Sequence, residues 1–474
     1  MSEILTPDIC VIGAGAGGLS VAAGAARLGV SVVLIEKGEM GGDCLNAGCV
    51  PSKTLIASAH IAQAMRDAAR FGVHAVEPRV EWLAVRKRIK QTIAAIAPND
   101  SQARYEAMGV RVIRATARFA DRKTVEAGDF SIRARRFVLA TGSSSFVPPI
   151  HGLEFVRYLT NETIFDIDTL PRRLVVVGGG AQGIELAQAF RRLGSEAIVI
   201  EAEQALSRED PELAAVALNR LRREGVDIRE GKRIARIEPR PEGVRVVLAG
   251  HEVEETIDGT HLLVAAGRKA NVDNLGLEAA GVKFNRAGVT TGGNLRTSNR
   301  RVYAVGDLAG GARLTAAANY QAGLVLRQAL FRLPARARHE NVPRVTYTDP
   351  EIAWVGLSET EARERHRRIR VLRWSLAEND RARAEGAMEG HIKAVTARDG
   401  RVLGCGIAGR SAGELIAPWS LALSKGLMAQ DMANAIFAYP TVSEVSRRAA
   451  FGVYADKIDR PWMTSVLRLL RRFG

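Results

Sequence analysis

The sequence predicts an α/β protein with two dinucleotide-binding units of the Rossmann type, followed by a C-terminal α+β domain. Two observations support this fold class. A pattern of strand, glycine turn, helix and strand occurs twice, and the character of the sequence changes near residue 341. A chain of 474 residues is also too long for one ordinary hydrophobic core. We therefore expect several domains.

The first copy of the pattern begins at residue 9. Residues 9–12 predict a strand, 13–18 a glycine turn, 19–28 an alanine-rich helix and 30–35 a second strand. Such glycines let the backbone approach a pyrophosphate at a helix N-terminus, and an acid after the second strand accepts hydrogen bonds from a ribose. A lone glycine motif is weak, but the complete unit is strong. The candidate binding residues are Gly13, Gly15, Gly18, Glu36 and Lys37.

The second copy repeats the first in the same phase. Residues 174–177 and 197–200 predict strands and 184–193 a helix, and Glu201 follows Gly178 by 23 positions, as Glu36 follows Gly13. Its candidate binding residues are Gly178, Gly180, Gly183 and Glu201. Two fingerprints in one chain indicate two dinucleotide sites.

Two cysteines five positions apart lie about thirty residues after the first glycine turn. Residues 41–53 read Gly-Gly-Asp-Cys-Leu-Asn-Ala-Gly-Cys-Val-Pro-Ser-Lys. A structural disulfide across so short a loop would constrain little of the unfolded chain. Zinc would need further ligands, which the neighbouring sequence lacks, so no metal site is predicted. A redox pair needs this closeness, because one sulfur must displace the other. Cys44 and Cys49 are therefore the candidate redox pair.

The other two cysteines, Cys10 and Cys405, lie in apolar runs that predict buried thiols. Four cysteines are too few for a disulfide scaffold, and this favours a reducing cytoplasm. We find no apolar run long enough for a transmembrane segment.

Residues 41–53 resemble the redox motif of the flavin-dependent pyridine nucleotide–disulfide oxidoreductases. This family includes dihydrolipoamide dehydrogenase, glutathione reductase and mercuric reductase. The resemblance implies FAD in the first unit, beside the cysteines, and NAD(H) in the second. Glu201 favours NAD(H), because a carboxylate repels a 2′-phosphate. Arg208, which could pair with that phosphate, keeps NADP(H) as the alternative.

The resemblance covers essentially the whole chain. It implies an FAD-binding domain in two parts, residues 1–150 and 273–340. An NAD(P)-binding domain at 151–272 lies between these parts, and a dimerisation domain at 341–474 follows them. The last domain has β-rich stretches at 369–376 and 391–395 and helical segments at 412–424 and 429–437. Further cofactor residues implied by family motifs are Gly42, Thr141, Gly142, Gly267, Gly306 and Asp307.

The family pattern also assigns roles. Cys49 would lie against the flavin as the charge-transfer thiol, and Cys44 would exchange with substrate. Lys53 would lie beside flavin N5 and form an ion pair with Glu185, since a buried ammonium needs a counter-charge. The alternative for Lys53 is an ordinary surface lysine.

The C-terminal motif departs from the family pattern. Dihydrolipoamide dehydrogenase and glutathione reductase carry His-Pro-Thr-x-x-Glu, whose histidine comes from the partner subunit and exchanges a proton with the substrate-side thiol. This chain has Tyr439 in place of that histidine and retains Glu444. Tyrosine, with a reference pKa of about 10, is a poor base near neutrality. Mercuric reductase shares the tyrosine, but its C-terminal pair of adjacent cysteines does not occur here. Tyr439 is either inert packing or a hydroxyl that orients substrate or ligates metal.

These features predict a homodimeric oxidoreductase that passes electrons from NAD(P)H through FAD to Cys44–Cys49. The acceptor would be a disulfide of a small molecule or protein, a metal ion or another compound. Two alternatives remain: a quinone or dye reductase that does not use the disulfide, and a redox-sensing subunit of a larger complex.

The charge of the chain supports neither a nucleic-acid partner nor a particular acceptor. The net charge is +15, but aromatic residues make up only 5% of the chain and no nucleic-acid module is present. A solvated arginine-rich surface is the simpler interpretation. The basic segment 463–472 could instead be a short amphipathic helix that touches acidic lipid.

Overall fold

The computed structural model describes residues 3–250, 254–454 and 461–473 and divides the chain into two compact units. The first comprises Met1–Ala205 and Glu224–His339, and the second comprises Leu206–Arg223 and Glu340–Gly474. The α/β class, with two parallel dinucleotide-binding sheets and a separate C-terminal domain, is confirmed. The domain boundaries within this arrangement stay a prediction.

A five-stranded parallel sheet forms the first dinucleotide-binding unit. Its strands are, in spatial order, Val302–Ala304, Arg136–Leu139, Ile9–Ile12, Val32–Glu36 and Val110–Arg114. All four residues of the central strand are buried, as expected for a strand covered on both faces. The helix Ala16–Arg27 follows the glycine turn and packs against Thr315–Phe331.

A four-stranded parallel sheet forms the second dinucleotide-binding unit, which belongs to the first compact unit. Its strands are Asp227–Arg229, Glu196–Ile200, Arg173–Val177 and His261–Val264. The helix Ala181–Arg192 follows the second glycine turn and packs against Cys49–Asp67. Both helices after glycine turns begin three residues before their predicted starts, because the last glycines of each turn already belong to the helix.

Besides its two parallel sheets, the described part of the first compact unit contains four smaller sheets and several further helices. A mixed sheet consists of Glu3–Leu5, Phe130–Ile132, Val125–Ala127 and Ala117–Phe119, and an antiparallel sheet of Ile234–Arg240, Gly243–Leu248 and Glu255–Gly259. Two-stranded pairs join Ser143–Ser145 to Arg268–Ala270 and Phe284–Asn285 to Gly288–Val289. The further helices are Gly42–Asn46, Trp82–Ile96 and Gln102–Ala107.

The second compact unit consists of an antiparallel sheet and helices. The strand order is Arg344–Thr346, Glu351–Gly356, Val402–Gly409, His391–Ala397 and Ile369–Ser375. The helices are Pro211–Arg223, Glu359–Arg365, Asp380–Ala384, Ala412–Leu415, Ala417–Lys425, Ala429–Asn434, Glu444–Phe451 and Pro461–Leu470.

Two helices of the second compact unit differ in extent from the predicted helices. The segment predicted as one helix over 412–424 is interrupted at Ile416. The break lies beside Pro418, whose ring nitrogen has no hydrogen to donate to a carbonyl one turn earlier. The segment predicted over 429–437 ends at Asn434. Among the residues that the structure describes, no helix combines the length and apolar character needed to cross a membrane.

Candidate active site

At the first glycine of each turn, the backbone lies so close to the end of a neighbouring strand that no side chain would fit. A Cβ on Gly13 would lie 2.4 Å from the Ala140 carbonyl oxygen, and one on Gly178 would lie 2.5 Å from that of Ala265. Both residues have positive φ, +106° and +110°, which L side chains rarely adopt. The strand end before Thr141–Gly142 therefore lies against the first glycine turn in the same way as the strand end before Ala266–Gly267 lies against the second.

The residues present fit the pyrophosphate of a dinucleotide at both turns. Gly15 and Gly180 precede the two helices, and a Cβ on either would meet no atom within 4 Å. Neither helix has an acidic residue in its first turn. Open backbone beside a positive helix end is the environment that binds phosphate.

The two predicted ribose-binding acids occupy equivalent places. The Glu36 carboxylate accepts hydrogen bonds from the Ala14 and Gly38 backbone N–H groups at 2.6 and 2.7 Å. Glu201 accepts from Gly179 and Glu203 at 2.7 and 3.0 Å. These bonds fix each carboxylate beside its glycine turn. Lys37, the next residue after Glu36, is exposed.

The cysteine loop is built directly on the first glycine turn. The Gly41 N–H donates to the Ala14 carbonyl at 3.0 Å, and a Cβ on Gly42 would lie 2.8 Å from Gly15 Cα. Cys44 lies in the helix Gly42–Asn46, and Cys49 is the first residue of Cys49–Asp67. The loop thus brings both sulfurs next to the place where the first dinucleotide fits.

The two free thiols are strongly inequivalent. The pKa of Cys49 falls from an ordinary value near 9 to about 6, chiefly because the Cys44 thiol donates a hydrogen bond to it, and also because of Lys53 and Thr315. The pKa of Cys44 rises, because of its hydrogen bond to Cys49 and its burial. At neutral pH the pair therefore holds a thiolate at Cys49 and a protonated thiol at Cys44. By contrast, burial raises the pKa of Cys10 and Cys405, which are fully buried as predicted.

Thr315 is a contact of the redox pair that sequence reasoning missed. Its Oγ1 lies 3.9 Å from Cys49 Sγ, although the two residues are 266 positions apart. The hydroxyl reaches the sulfur because Thr315 begins the helix Thr315–Phe331, which packs against the helix after the glycine turn. No motif in the sequence connects it with the cysteines.

We expect Thr315→Val to raise the pKa of Cys49, because the variant keeps the volume but removes a hydrogen bond to the thiolate. In the reduced holoenzyme, alkylation of Cys49 by iodoacetamide should increase with pH around a midpoint near 6, and the variant should shift that midpoint upward. Ser58→Ala, on the same helix as Cys49, is the control and should leave the midpoint unchanged. An unchanged midpoint in Thr315→Val would contradict the assignment.

The predicted ion pair between Lys53 and Glu185 is present. Lys53 Nζ lies 2.8 Å from Glu185 Oε2, with the carboxylate side chain 7% exposed and the lysine 34% exposed. Lys53 follows Cys49 by one helical turn, and Glu185 lies on the helix Ala181–Arg192. The pair therefore joins the cysteine helix to the second dinucleotide-binding unit.

A second polar network, absent from the sequence prediction, connects the cysteine loop to Asp307. Arg268 lies 3.2 Å from the Asp43 carboxylate and donates to the Ser143 hydroxyl at 2.7 Å. The same hydroxyl donates to Asp307. Asn161 donates to the other oxygen of Asp43 at 2.9 Å. Asp43 precedes Cys44 and Arg268 follows Gly267, so their positions beside motif residues were the available signal.

Tyr439 and Glu444 lie in the second compact unit, which contains the C-terminal domain. The Tyr439 side chain is 69% exposed and its hydroxyl donates to Asp380 Oδ2 at 2.9 Å. That hydrogen bond and the negative charge of Asp380 raise the pKa of Tyr439. Glu444 lies 3.1 Å from Arg448 on the same helix. An even smaller fraction of Tyr439 is therefore ionised near neutral pH than of a tyrosine in water, so less of it is available to accept a proton.

Comparison with known proteins places this arrangement in a family. Residues 7–322 match the model of the pyridine nucleotide-disulphide oxidoreductases, and residues 342–450 match the dimerisation domain of the same enzymes. The chain belongs to the pyridine nucleotide-disulphide oxidoreductase family, as the cysteine motif predicted.

Among curated proteins, the chain is 34% identical to a mercuric reductase of Lysinibacillus sphaericus, over 94% of this chain and 82% of that one. It is 32% identical to a dihydrolipoyl dehydrogenase of Bacillus subtilis, over 94% and 95% of the two chains.

Two solved structures share the fold. LpdA from Mycobacterium tuberculosis superposes with a TM-score of 0.87 at 27% identity, covering 95% of this chain and 99% of that one. The Cu(II) complex of RclA, an HOCl-induced flavoprotein disulfide reductase from Escherichia coli, gives 0.81 at 26% identity, covering 92% and 98%.

The protein is therefore an FAD-dependent NAD(P)H disulfide oxidoreductase. FAD, when bound, supplies the two-electron step between the nucleotide and sulfur. The dimerisation domain supports a homodimer.

Proposed function

We propose that the protein uses NADH to reduce a thiophilic metal ion at Cys44–Cys49. FAD lies on the first glycine turn and NADH on the second. Cys49 is the thiolate on the flavin side, with Lys53 and Glu185 beside it, and Cys44 meets the acceptor. Thr141, Gly142, Gly306 and Asp307 complete the flavin site.

The observation that carries this proposal is the state of the groups that would move a proton. Cys44 is held as a thiol, while Tyr439 has its hydroxyl bonded to Asp380 and a raised pKa. Reduction of an organic disulfide requires proton transfer at the exchange thiol, which a positioned base typically accelerates by about 10²–10⁴-fold. A metal ion needs no such base, because coordination itself deprotonates a thiol.

The overall reaction balances without another reagent. A divalent ion such as Hg(II) takes two electrons from NADH and yields the metal, NAD⁺ and one proton. With Cu(II), two ions each take one electron. Cys44 releases its proton when the pair binds the ion and recovers a proton after the product leaves, whereas Cys49 binds the ion as the thiolate that it already is.

The relatives support a metal acceptor. The chain is similar to mercuric reductases, and it shares a fold with a flavoprotein disulfide reductase solved as a Cu(II) complex. It is also similar to dihydrolipoyl dehydrogenases, whose disulfide chemistry is the competing assignment.

An acceptor comparison tests the proposal. The purified holoenzyme should oxidise NADH with Hg(II) or Cu(II) at least about tenfold more efficiently than with lipoamide or glutathione disulfide, given the missing base. A quinone measures the reaction that does not need the dithiol. Efficient turnover of lipoamide, with slow turnover of both metal ions, would reject the metal assignment.

NADH should be preferred to NADPH by about a hundredfold in kcat/KM, because Glu201 would oppose a 2′-phosphate. Glu201→Gln keeps an acceptor for the Gly179 N–H but removes the charge, so it should reduce the preference by about tenfold. Glu196→Gln, at the opposite end of the same strand, should leave the ratio unchanged. A wild-type preference for NADPH would refute this assignment.

A further inference from the structure

The helix Pro461–Leu470 separates apolar and basic side chains onto opposite faces. At 3.6 residues per turn, Val466, Leu467, Leu469 and Leu470 fall within an arc of about 160°. Arg468 lies opposite the centre of that arc. Residues 465–473 are all exposed, including Leu469 at 54%, Leu470 at 57% and Phe473 at 81%. The described part of this segment therefore presents a bare apolar face.

The charge of the segment complements an anionic surface. Residues 461–474 include Arg468, Arg471 and Arg472 and contain no aspartate or glutamate. Arg468 lies on the opposite face and Arg471 and Arg472 follow the last helical residue, so the apolar arc itself carries no charge. A short helix with a leucine-rich face and a basic face has the composition of helices that lie in a membrane interface.

We propose that this helix binds the protein to the surface of a membrane that contains anionic lipid. The leucines enter the boundary between head groups and acyl chains, and the arginines contact lipid phosphates. A ten-residue helix is about 15 Å long, whereas the hydrocarbon core is about 30 Å thick. The helix therefore lies along the surface and does not cross it.

Other occupants fit the same face less well. A nucleic acid would satisfy the arginines but leave the leucines in water. A second copy of the helix would cover the leucines but add three more arginines without an anionic partner. Anionic lipid satisfies both faces at once. This inference concerns binding and is independent of which acceptor the redox pair reduces.

Flotation of the full-length holoenzyme with vesicles tests the proposal. The protein should float with vesicles of phosphatidylglycerol and phosphatidylcholine, lose binding as salt is raised, and float little with phosphatidylcholine alone. The triple variant Arg468→Gln, Arg471→Gln, Arg472→Gln should reduce partitioning about a hundredfold. The variant Leu467→Ser, Leu470→Ser should reduce it at least about tenfold.

A matched control removes three positive charges from a different part of the second compact unit. Arg365, Arg367 and Arg368 are exposed, and changing all three to glutamine should alter partitioning less than about threefold. Deletion of residues 461–474 should abolish flotation while NADH oxidation with a soluble dye continues, which shows that the variant is folded.

Three results would overturn the proposal. Flotation that survives the deletion would place the lipid contact elsewhere. A deletion that lowers the oligomeric state without affecting flotation would assign the helix to a second copy. If duplex DNA displaces the wild-type protein from the vesicles and binds the protein more tightly than the vesicles do, the helix would be assigned to nucleic-acid binding.

Discussion

Cys44→Ser should abolish NADH-dependent reduction of Hg(II) and Cu(II), with a loss of about 10⁴-fold or more, because the variant lacks the sulfur that meets the acceptor. Reduction of a soluble dye with NADH should continue, since the nucleotide-binding turns and the Lys53–Glu185 pair are unchanged. Measuring both rates on one preparation separates electron entry from electron exit. Cys49→Ser should lose metal reduction to the same extent.

The matched control is Cys10→Ala, which removes a fully buried thiol from the central strand of the first sheet. It should retain metal reduction. If Cys44→Ser also retains it, the acceptor takes its electrons without the dithiol. The quinone or dye reductase that the sequence left open would then be the correct function.

Tyr439→His should raise turnover with lipoamide or glutathione disulfide by about 10²-fold near neutral pH, because imidazole supplies the base that tyrosine lacks. Asp380, which accepts the Tyr439 hydroxyl, is placed to accept the imidazole N–H instead. Metal reduction should change only a few-fold. The comparison of pH profiles adds a second readout, since the gain should appear as pH rises through the pKa of the introduced histidine, which the Asp380 carboxylate raises above the reference value of about 6.5.

Tyr439→Phe is the companion variant, because it removes the hydroxyl without adding a base. It should show no gain with disulfides, and its rate with metal ions distinguishes the two interpretations of Tyr439. An unchanged metal rate identifies inert packing, whereas a clear loss identifies a hydroxyl that orients or ligates the ion. If Tyr439→His shows no gain, proton transfer at this position does not limit disulfide reduction.

Local patterns were enough to predict the nucleotide-binding framework. Each unit is specified within a short stretch, because the glycines of a turn and the acid after the next strand belong to one supersecondary element. Gly13 and Gly178 show this most clearly, with Cβ clearances of 2.4 and 2.5 Å to equivalent carbonyls. The Lys53–Glu185 pair spans 132 positions and was predictable only through the family resemblance.

The contacts that tune the cysteines were not predictable in this way. Thr315 reaches Cys49 through helix packing, and Arg268 reaches Asp43 through a strand that pairs with Ser143–Ser145. Both contacts depend on how separate helices and strands of the first compact unit pack together. Periodicity within one element contains no such information. The inequivalence of the thiols arises chiefly from the hydrogen bond that Cys44 donates to Cys49, and its direction follows from the structure alone.

Anaerobic titration of the oxidised holoenzyme with NADH, combined with counting of free thiols, tests the central claim most directly. The claim is that electrons from NADH reach Cys44–Cys49. One equivalent of NADH per subunit should generate two new titratable cysteine sulfurs, because its two electrons and one proton convert the disulfide to the Cys49 thiolate and the Cys44 thiol. Consumption of NADH with no new thiols would contradict the account.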